Sequence, residues 1–152
     1  MNRTKIEYLD IYEKGWIEAA IDGEGALCLI KQGRSKYRAG FTYEPRVDVA
    51  NKSTAFLEKA KKICRGGAIS NPRKNGLRSL DMSSNLLRTL LPQIQLVAKE
   101  RQRLLLLEAL DILSRHVSPG KPRNDEELRR LEAIHVEITQ LNGGRFSRTE
   151  QK

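Results

Sequence analysis

Cysteine is rare in this chain, with only Cys28 and Cys64 in 152 residues. Their separation fits no zinc ligand spacing and offers no disulfide framework, so reduced thiols in an intracellular protein are expected. Aromatic residues make up only 5% of the chain, which argues against a general single-stranded RNA binder that stacks bases on exposed rings. No apolar run approaches the roughly 20 residues of a membrane helix. The opening MNRTKIEYLDIYEKG lacks the apolar segment of a secretory signal. There is no glycine-rich phosphate loop, and His116 and His135 have no matching serine or cysteine, so core or surface roles are expected for both. With 39% hydrophobic and 31% charged residues, the composition is that of a folded globular chain. Its length suits one domain over residues 1–152.

What the chain has is positive charge, unevenly placed. The net charge is +9, and between Lys59 and Arg78 there are seven basic residues and no acid. Between Lys31 and Arg46 five basic residues face Glu44 alone. A basic middle on a globular chain favours a polyanion, most often nucleic acid, over a merely solvated basic surface.

Hydrophobic spacing predicts a helix over Thr4–Ile21, capped by Thr4 with Glu7 and stopped by DGEG. One of its faces carries Ile11, Gly15 and Ala19, small at two positions one turn apart, where another backbone can come close. Two strands follow, Ala26–Gln32 and Tyr37–Ala50, joined by GRSK. In the second, Phe41, Tyr43, Val47 and Val49 alternate with polar residues, and Pro45 requires an edge or a bulge. Ser53–Cys64 reads as a helix ended by Gly66-Gly67, and Ala68–Asn71 with Leu77–Ser83 as a hairpin turning through PRKNG. From Ser84 onward the chain reads as helical, with Pro92 in the first turn of a helix reaching about His116. Asn124 caps a last helix ending at Asn142-Gly143-Gly144, and residues 143–152 form a tail expected to be mobile. The order gives an α+β fold, a four-stranded antiparallel sheet with helices on one face and a polar, basic second face.

The most specific string is Ile17-Glu18-Ala19-Ala20-Ile21-Asp22-Gly23-Glu24-Gly25. It resembles the signature of the LAGLIDADG homing endonucleases: Ile21, Asp22 and Gly25 are identical, Ile17, Ala19, Ala20, Gly23 and Glu24 are similar, and Glu18 departs from a small residue. The α-β-β-α-β-β-α order over most of the chain strengthens the resemblance. One copy of the motif is present, which implies the single-motif, homodimeric type with a saddle-shaped sheet.

The resemblance implies that the motif helix packs against its two-fold mate through Gly15, Ala19 and Asp22, bringing Glu24 of each subunit to the dyad. It makes Glu24 and the Gly23 carbonyl the ligands of Mg²⁺ or another divalent cation such as Mn²⁺, beside a scissile phosphate. Asn51 would lie near the metal-bound water and Lys99 near the active site, so that Glu24, Asn51 and Lys99 form the catalytic set. Contacts to double-stranded DNA would come from the polar sheet face and its turns. On the first hairpin these are Ile30, Gln32, Arg34, Lys36, Tyr37, Arg38, Thr42, Glu44, Arg46 and Asp48. On the second they are Ser70, Arg73, Lys74, Arg78, Ser79 and Asp81.

The implied activity is a metal-dependent double-strand break by phosphodiester hydrolysis in a long pseudo-palindromic target, by an enzyme encoded within a mobile intron. It would act inside the cell, in whichever compartment holds its target DNA. The alternative is a non-cleaving relative, an intron RNA maturase or a DNA-binding regulator, with intron RNA as a partner. Taken alone, DGEG also reads as a helix-terminating turn with solvated acids, Asn51 as a helix cap, Lys99 as a solvated helix position, and the polar strand residues as a solvated sheet edge.

Overall fold

Two capping boxes compete at the start of the chain, and the later one forms. In the computed structural model, which describes residues 7–33, 40–115 and 123–144, the first helix α1 spans Ile11–Glu24. The Asp10 carboxylate accepts from the Glu13 backbone N–H at 2.7 Å, and Glu13 accepts in return from the Asp10 N–H at 3.1 Å. The start expected at Thr4 is thereby corrected. The expected stop at DGEG is also corrected, because Asp22, Gly23 and Glu24 are the last residues of the helix. One helical glycine costs about 1 kcal/mol against alanine, an amount that neighbouring contacts can offset.

No linker separates α1 from β1 (Gly25–Gly33). A Cβ on Gly25 would lie 2.5 Å from the Ile21 carbonyl oxygen, so only glycine lets the strand leave the helix at this angle. β1 pairs antiparallel with β2 (Phe41–Asn51), β2 with β4 (Arg78–Met82), and β4 with β3 (Ala68–Ile69), giving the order β1-β2-β4-β3. Pro45 sits where β2 has only β1 beside it, since β4 pairs only with Val47–Asn51, so no second ladder needs its missing N–H.

Alternation then sorts the strands. Leu27, Leu29, Tyr43, Val47, Val49, Leu80 and Met82 are buried on one face. All the helices supply the opposing core side chains: Ile17 and Ile21 of α1, Leu57 of α2 (Thr54–Cys64), Leu87 of α3 (Ser84–Leu90), Leu106 of α4 (Glu100–Ser114) and Ile134 of α5 (Asp125–Leu141). Each large aliphatic side chain buried this way contributes roughly 1.5–3 kcal/mol.

The free edge of β1 would be a template for mispairing, and α5 covers it. His135 Nδ1 lies 2.6 Å from the Leu29 carbonyl oxygen, and the Asn142 amide donates to the Leu27 carbonyl at 2.8 Å. His135 is therefore an edge-covering residue, while His116, the GRSK loop beyond Gly33 and residues 145–152 of the expected tail lie outside the described residues.

The long helix expected from Pro92 is replaced by a break. Leu91–Gln93 form a single 3-10 turn, residues 94–99 are not helical, and α4 starts at Glu100. The reason lies in where the backbone donors go. The Gln95 N–H donates to Glu18 at 2.6 Å and the Leu96 N–H to Glu100 at 2.8 Å. Asp22 accepts from the N–H groups of Val97, Ala98 and Lys99 at 2.9, 3.1 and 3.0 Å.

Candidate active site and nucleic-acid interface

The last four carbonyls of a helix lack intrahelical partners. In α1 these belong to Ile21, Asp22, Gly23 and Glu24. Gly25 N–H returns to the Ile21 oxygen. Lys99 Nζ lies 3.4 Å from that oxygen, 2.9 Å from the Asp22 oxygen and 2.6 Å from the Gly25 oxygen. The ammonium thus sits on the negative end of the helix, where a cation is favoured. Asp22 performs the converse service, its carboxylate accepting from the N–H groups of residues 97–99, the turn that leads into α4. Desolvation alone would raise the Asp22 pKa, but the N–H donors of Val97, Ala98 and Lys99, with the Lys99 charge, hold it below its ordinary value.

This reciprocal pairing leaves the Gly23 carbonyl with no intrahelical partner, since residue 27 already belongs to β1. The Glu24 side chain is exposed, and no described residue pairs with it. Gly25, the first strand residue after α1, pairs with Val49, two residues before Asn51 at the end of β2. Asn51 is itself the register partner of Arg78. Gly23, Glu24, Asn51, Arg78 and Lys99 therefore gather at one corner of the sheet. Asn51 Oδ1 accepts from the Ser53 N–H at 2.7 Å, and Ser53 caps α2, so Asn51 also shapes the turn into that helix.

An exposed carboxylate beside a helix-terminal carbonyl is a hard-oxygen donor pair suited to Mg²⁺ or Mn²⁺, which commonly takes one or two protein carboxylates and completes its shell with phosphate and water. No group of three or more His, Cys, Asp or Glu side chains able to hold a metal occurs among the described residues. The corner fits a cation shared with a phosphate and does not fit a closed protein cage.

The second sheet face is open. Ile30, Gln32, Thr42, Glu44, Arg46 and Asp48 lie on it, and none is fully buried. Register places Gln32 opposite Thr42, Ile30 opposite Glu44, and Cys28 opposite Arg46. Ser79 and Asp81 continue this face on β4, Ser70 adjoins Ser79, and Arg73 and Lys74 stand exposed in the following turn. That turn closes through Arg73 N–H to Leu77 at 2.9 Å and Gly76 N–H to Arg73 at 2.9 Å, with Gly76 at φ +80°.

Arg78 needs correction: it alternates with Ser79, shares the row of Leu80 and Met82, and belongs to the Asn51 corner and not to the open face. Arg34, Lys36, Tyr37 and Arg38 lie outside the described residues. Gly15 and Ala19 are exposed on α1, as are Ile11 at 91% and, on the adjoining segment, Val97 at 92%. Sequence reasoning missed Val97, the Glu18 anchor and the opposition of Asp48 to Asp81. The departure of Glu18 from the motif's small residue was the one available signal for the anchor.

The sequence matches no family model and no curated protein. The fold does match solved structures. The homing endonuclease I-CvuI in complex with DNA superposes with a TM-score of 0.73 at 17% identity, over 91% of this chain and 88% of that one. The archaeal intron-encoded homing endonuclease I-Vdi141I, complexed with DNA, gives 0.73 at 18% identity over 90% and 88%. The LAGLIDADG homing endonuclease I-SmaMI, bound to cleaved DNA, gives 0.73 at 23% identity, over 90% of this chain but 46% of that one. This chain has the fold of the LAGLIDADG homing endonucleases.

Proposed function

We propose that the chain is a single-motif LAGLIDADG homing endonuclease, intron-encoded, that acts as a homodimer and makes a divalent-metal-dependent double-strand break in a long pseudo-palindromic DNA site. The observation that carries this reading is the exposed, unpaired Glu24 carboxylate beside the Gly23 carbonyl, at the end of a helix whose neighbouring surface is small and apolar. Ile11, Gly15, Ala19 and Val97 offer a self-complementary patch, and a two-fold pairing of α1 through it brings two copies of Glu24 together.

Bound Mg²⁺ or Mn²⁺ supplies Lewis acidity toward the scissile phosphate and acidifies a water. The protein does the placing. Glu24 and the Gly23 carbonyl orient the oxygen donors, Lys99 and Asp22 fix the helix end from which both project, and Asn51 offers an amide to the attacking water. Attack on phosphorus breaks one ester bond, and the departing oxygen leaves as a hydroxyl. The open face lies along the major groove, with Arg46 and the other polar residues toward base edges and the basic turns toward phosphates.

The test is cleavage of a randomised DNA library with Mg²⁺, wild type beside Glu24→Gln. Wild type should cut both strands at one selected site, and Glu24→Gln should bind that site with cleavage reduced at least about 10²-fold, the scale of losing a preorganised charge-stabilising group. A protein that selects a site yet never cuts it, whichever divalent ion is supplied, overturns the nuclease reading.

A further inference from the structure

The open face is unevenly supported. β4 pairs with β2 only over Val47–Asn51, so beyond Val47 the β1–β2 hairpin runs on as two strands with no third beside them. A two-stranded ribbon is marginal by itself and twists more than a wider sheet. Ile30, Gln32, Thr42 and Glu44 of the open face all sit on this ribbon. Where they stand relative to DNA is therefore set by whatever holds the ribbon from beneath.

That support is α5, which runs back along β1: Asn142 reaches the Leu27 carbonyl, His135 the Leu29 carbonyl, and Glu132 the Lys31 side chain. Lys31 is the odd member of its row, since it follows Leu27 and Leu29 on the inner side of β1 and pairs with Tyr43 of β2. Glu132 takes both residues of that pair. Its Oε2 accepts from Lys31 Nζ at 3.0 Å and from the Tyr43 hydroxyl, so one carboxylate ties both strands to one helix. Lys31 Nζ also lies 4.5 Å from the centre of the Phe41 ring, which meets Tyr43 edge-on at 5.5 Å. The grip thus extends to Gly33 and Phe41, the last pair of the ribbon. Burial alone would raise the Glu132 pKa, but the Tyr43 hydroxyl and the Lys31 charge hold it below its ordinary value. The clamp is therefore ionised at neutral pH.

We propose that Glu132 is a positioning residue for sequence recognition: it fixes the ribbon at the angle from which Ile30, Gln32, Thr42 and Glu44 meet base edges. The inference rests on the reading of the open face as a DNA surface and says where in each half-site Glu132 is felt. Glu44 and Thr42 lie four and six residues along β2 from Asp48, which sits where β4 joins. At about 3.3 Å per residue and about 3.4 Å per base pair, they face base pairs about four to six steps farther from the Glu24 end. Those outer positions depend on Glu132, and the inner ones, backed by β4, do not.

The experiment is selection of bound duplexes from a library randomised across the half-site, with wild type, Glu132→Ala and Tyr43→Phe, each also melted thermally. Glu132→Ala should lose about 10-fold in base preference at the outer positions, the scale of a good side-chain to base pairing. It should keep the preferences of the positions facing Asp48, Ser79 and Asp81. Tyr43→Phe keeps the ring in the core and removes only the hydroxyl, so it decides the matter if the alanine variant does not fold. It should weaken the same positions by less, because Lys31 remains on Glu132. A merely structural role lowers the melting temperature without shifting preference from one end of the half-site to the other. An unchanged profile in either folded variant, a loss spread evenly over the half-site, or a wild type with no outer preference overturns the inference and leaves the DNA-binding reading intact. A wild type that enriches no sequence at all overturns both.

Discussion

Replacing Asp22 by alanine removes the acceptor for three consecutive N–H groups in the turn before α4, from Val97, Ala98 and Lys99 at 2.9, 3.1 and 3.0 Å. Val97 and Ala98 are exposed, so water replaces their partner cheaply, whereas Lys99 is half-buried and its N–H loses a charge-assisted bond. With about 1.5–3 kcal/mol for that bond and roughly 0.5 kcal/mol for each of the two exposed ones, the loss is about 2.5–4 kcal/mol. For a domain of this size each kcal/mol lowers Tm by about 2–4 °C. Asp22→Asn keeps one acceptor oxygen but turns an amide against the row of donors, and should fall midway. The pH dependence gives the sign. A carboxyl whose folded pKa is lowered stabilises the fold above its unfolded pKa near 4, and that stability is lost as pH falls through the folded value. Urea unfolding at fixed protein concentration should therefore show a wild-type advantage over Asp22→Asn at pH 7 that closes toward pH 3. An alanine variant within 0.5 kcal/mol of wild type, or a gap that ignores pH, refutes the assignment of Asp22 as the anchor of the turn before α4; the 0.5 bound is about the scatter of ordinary surface substitutions.

Two further outcomes follow from other parts of the molecule. Val97→Asp places a charge on the apolar patch with Ile11 and should convert a wild-type dimer to a folded monomer in sedimentation equilibrium; a dimer that persists, or a wild type monomeric at micromolar concentration, counts against that patch as the interface. Asp48→Asn should stabilise the protein at pH 7.5 by about 1 kcal/mol, since a pKa raised to about 6 means stability present at low pH is lost as pH rises through that value, the full shift being discounted because the group is half-exposed. Thermal melts of the two proteins should converge at pH 4, and equal stability at pH 7.5 refutes the repulsion.

The strands were legible in the sequence because their alternation is local and one face is buried: Tyr43, Val47 and Val49 point inward as their spacing implied. Helix boundaries were less so. Thr4 with Glu7 and Asp10 with Glu13 satisfy the same capping pattern, and only tertiary packing decides between them. It does so partly through Gln93, whose side-chain oxygen accepts from the Tyr8 and Leu9 N–H groups at 2.9 and 3.2 Å and holds the approach to α1. The break at residues 94–99 was illegible for a related reason. Its donors are met largely by Glu18 and Asp22, more than 70 residues earlier, and no local pattern reports a cap supplied at that distance. Arg78 was misplaced because charge alone was weighed, although its alternation with Ser79 already assigned it to the other row.

The proposed catalytic corner joins these two kinds of information. The motif helix supplies Glu24, and a helix from the second half of the chain supplies Lys99, whose ammonium reaches three backbone oxygens around that corner. An ammonium has three protons, so the full set of contacts occupies Lys99 on the backbone that carries Glu24. Its effect on chemistry then runs through position and local field: it neutralises the helix end that would otherwise repel a phosphate. The same contacts hold Gly23 and Glu24 in the orientation that the proposed metal site requires. Asp22 completes the exchange by holding the turn that brings Lys99. Loosening either residue would tilt the carboxylate without touching it, so the motif's aspartate and this distant lysine act as one clamp around the acid between them.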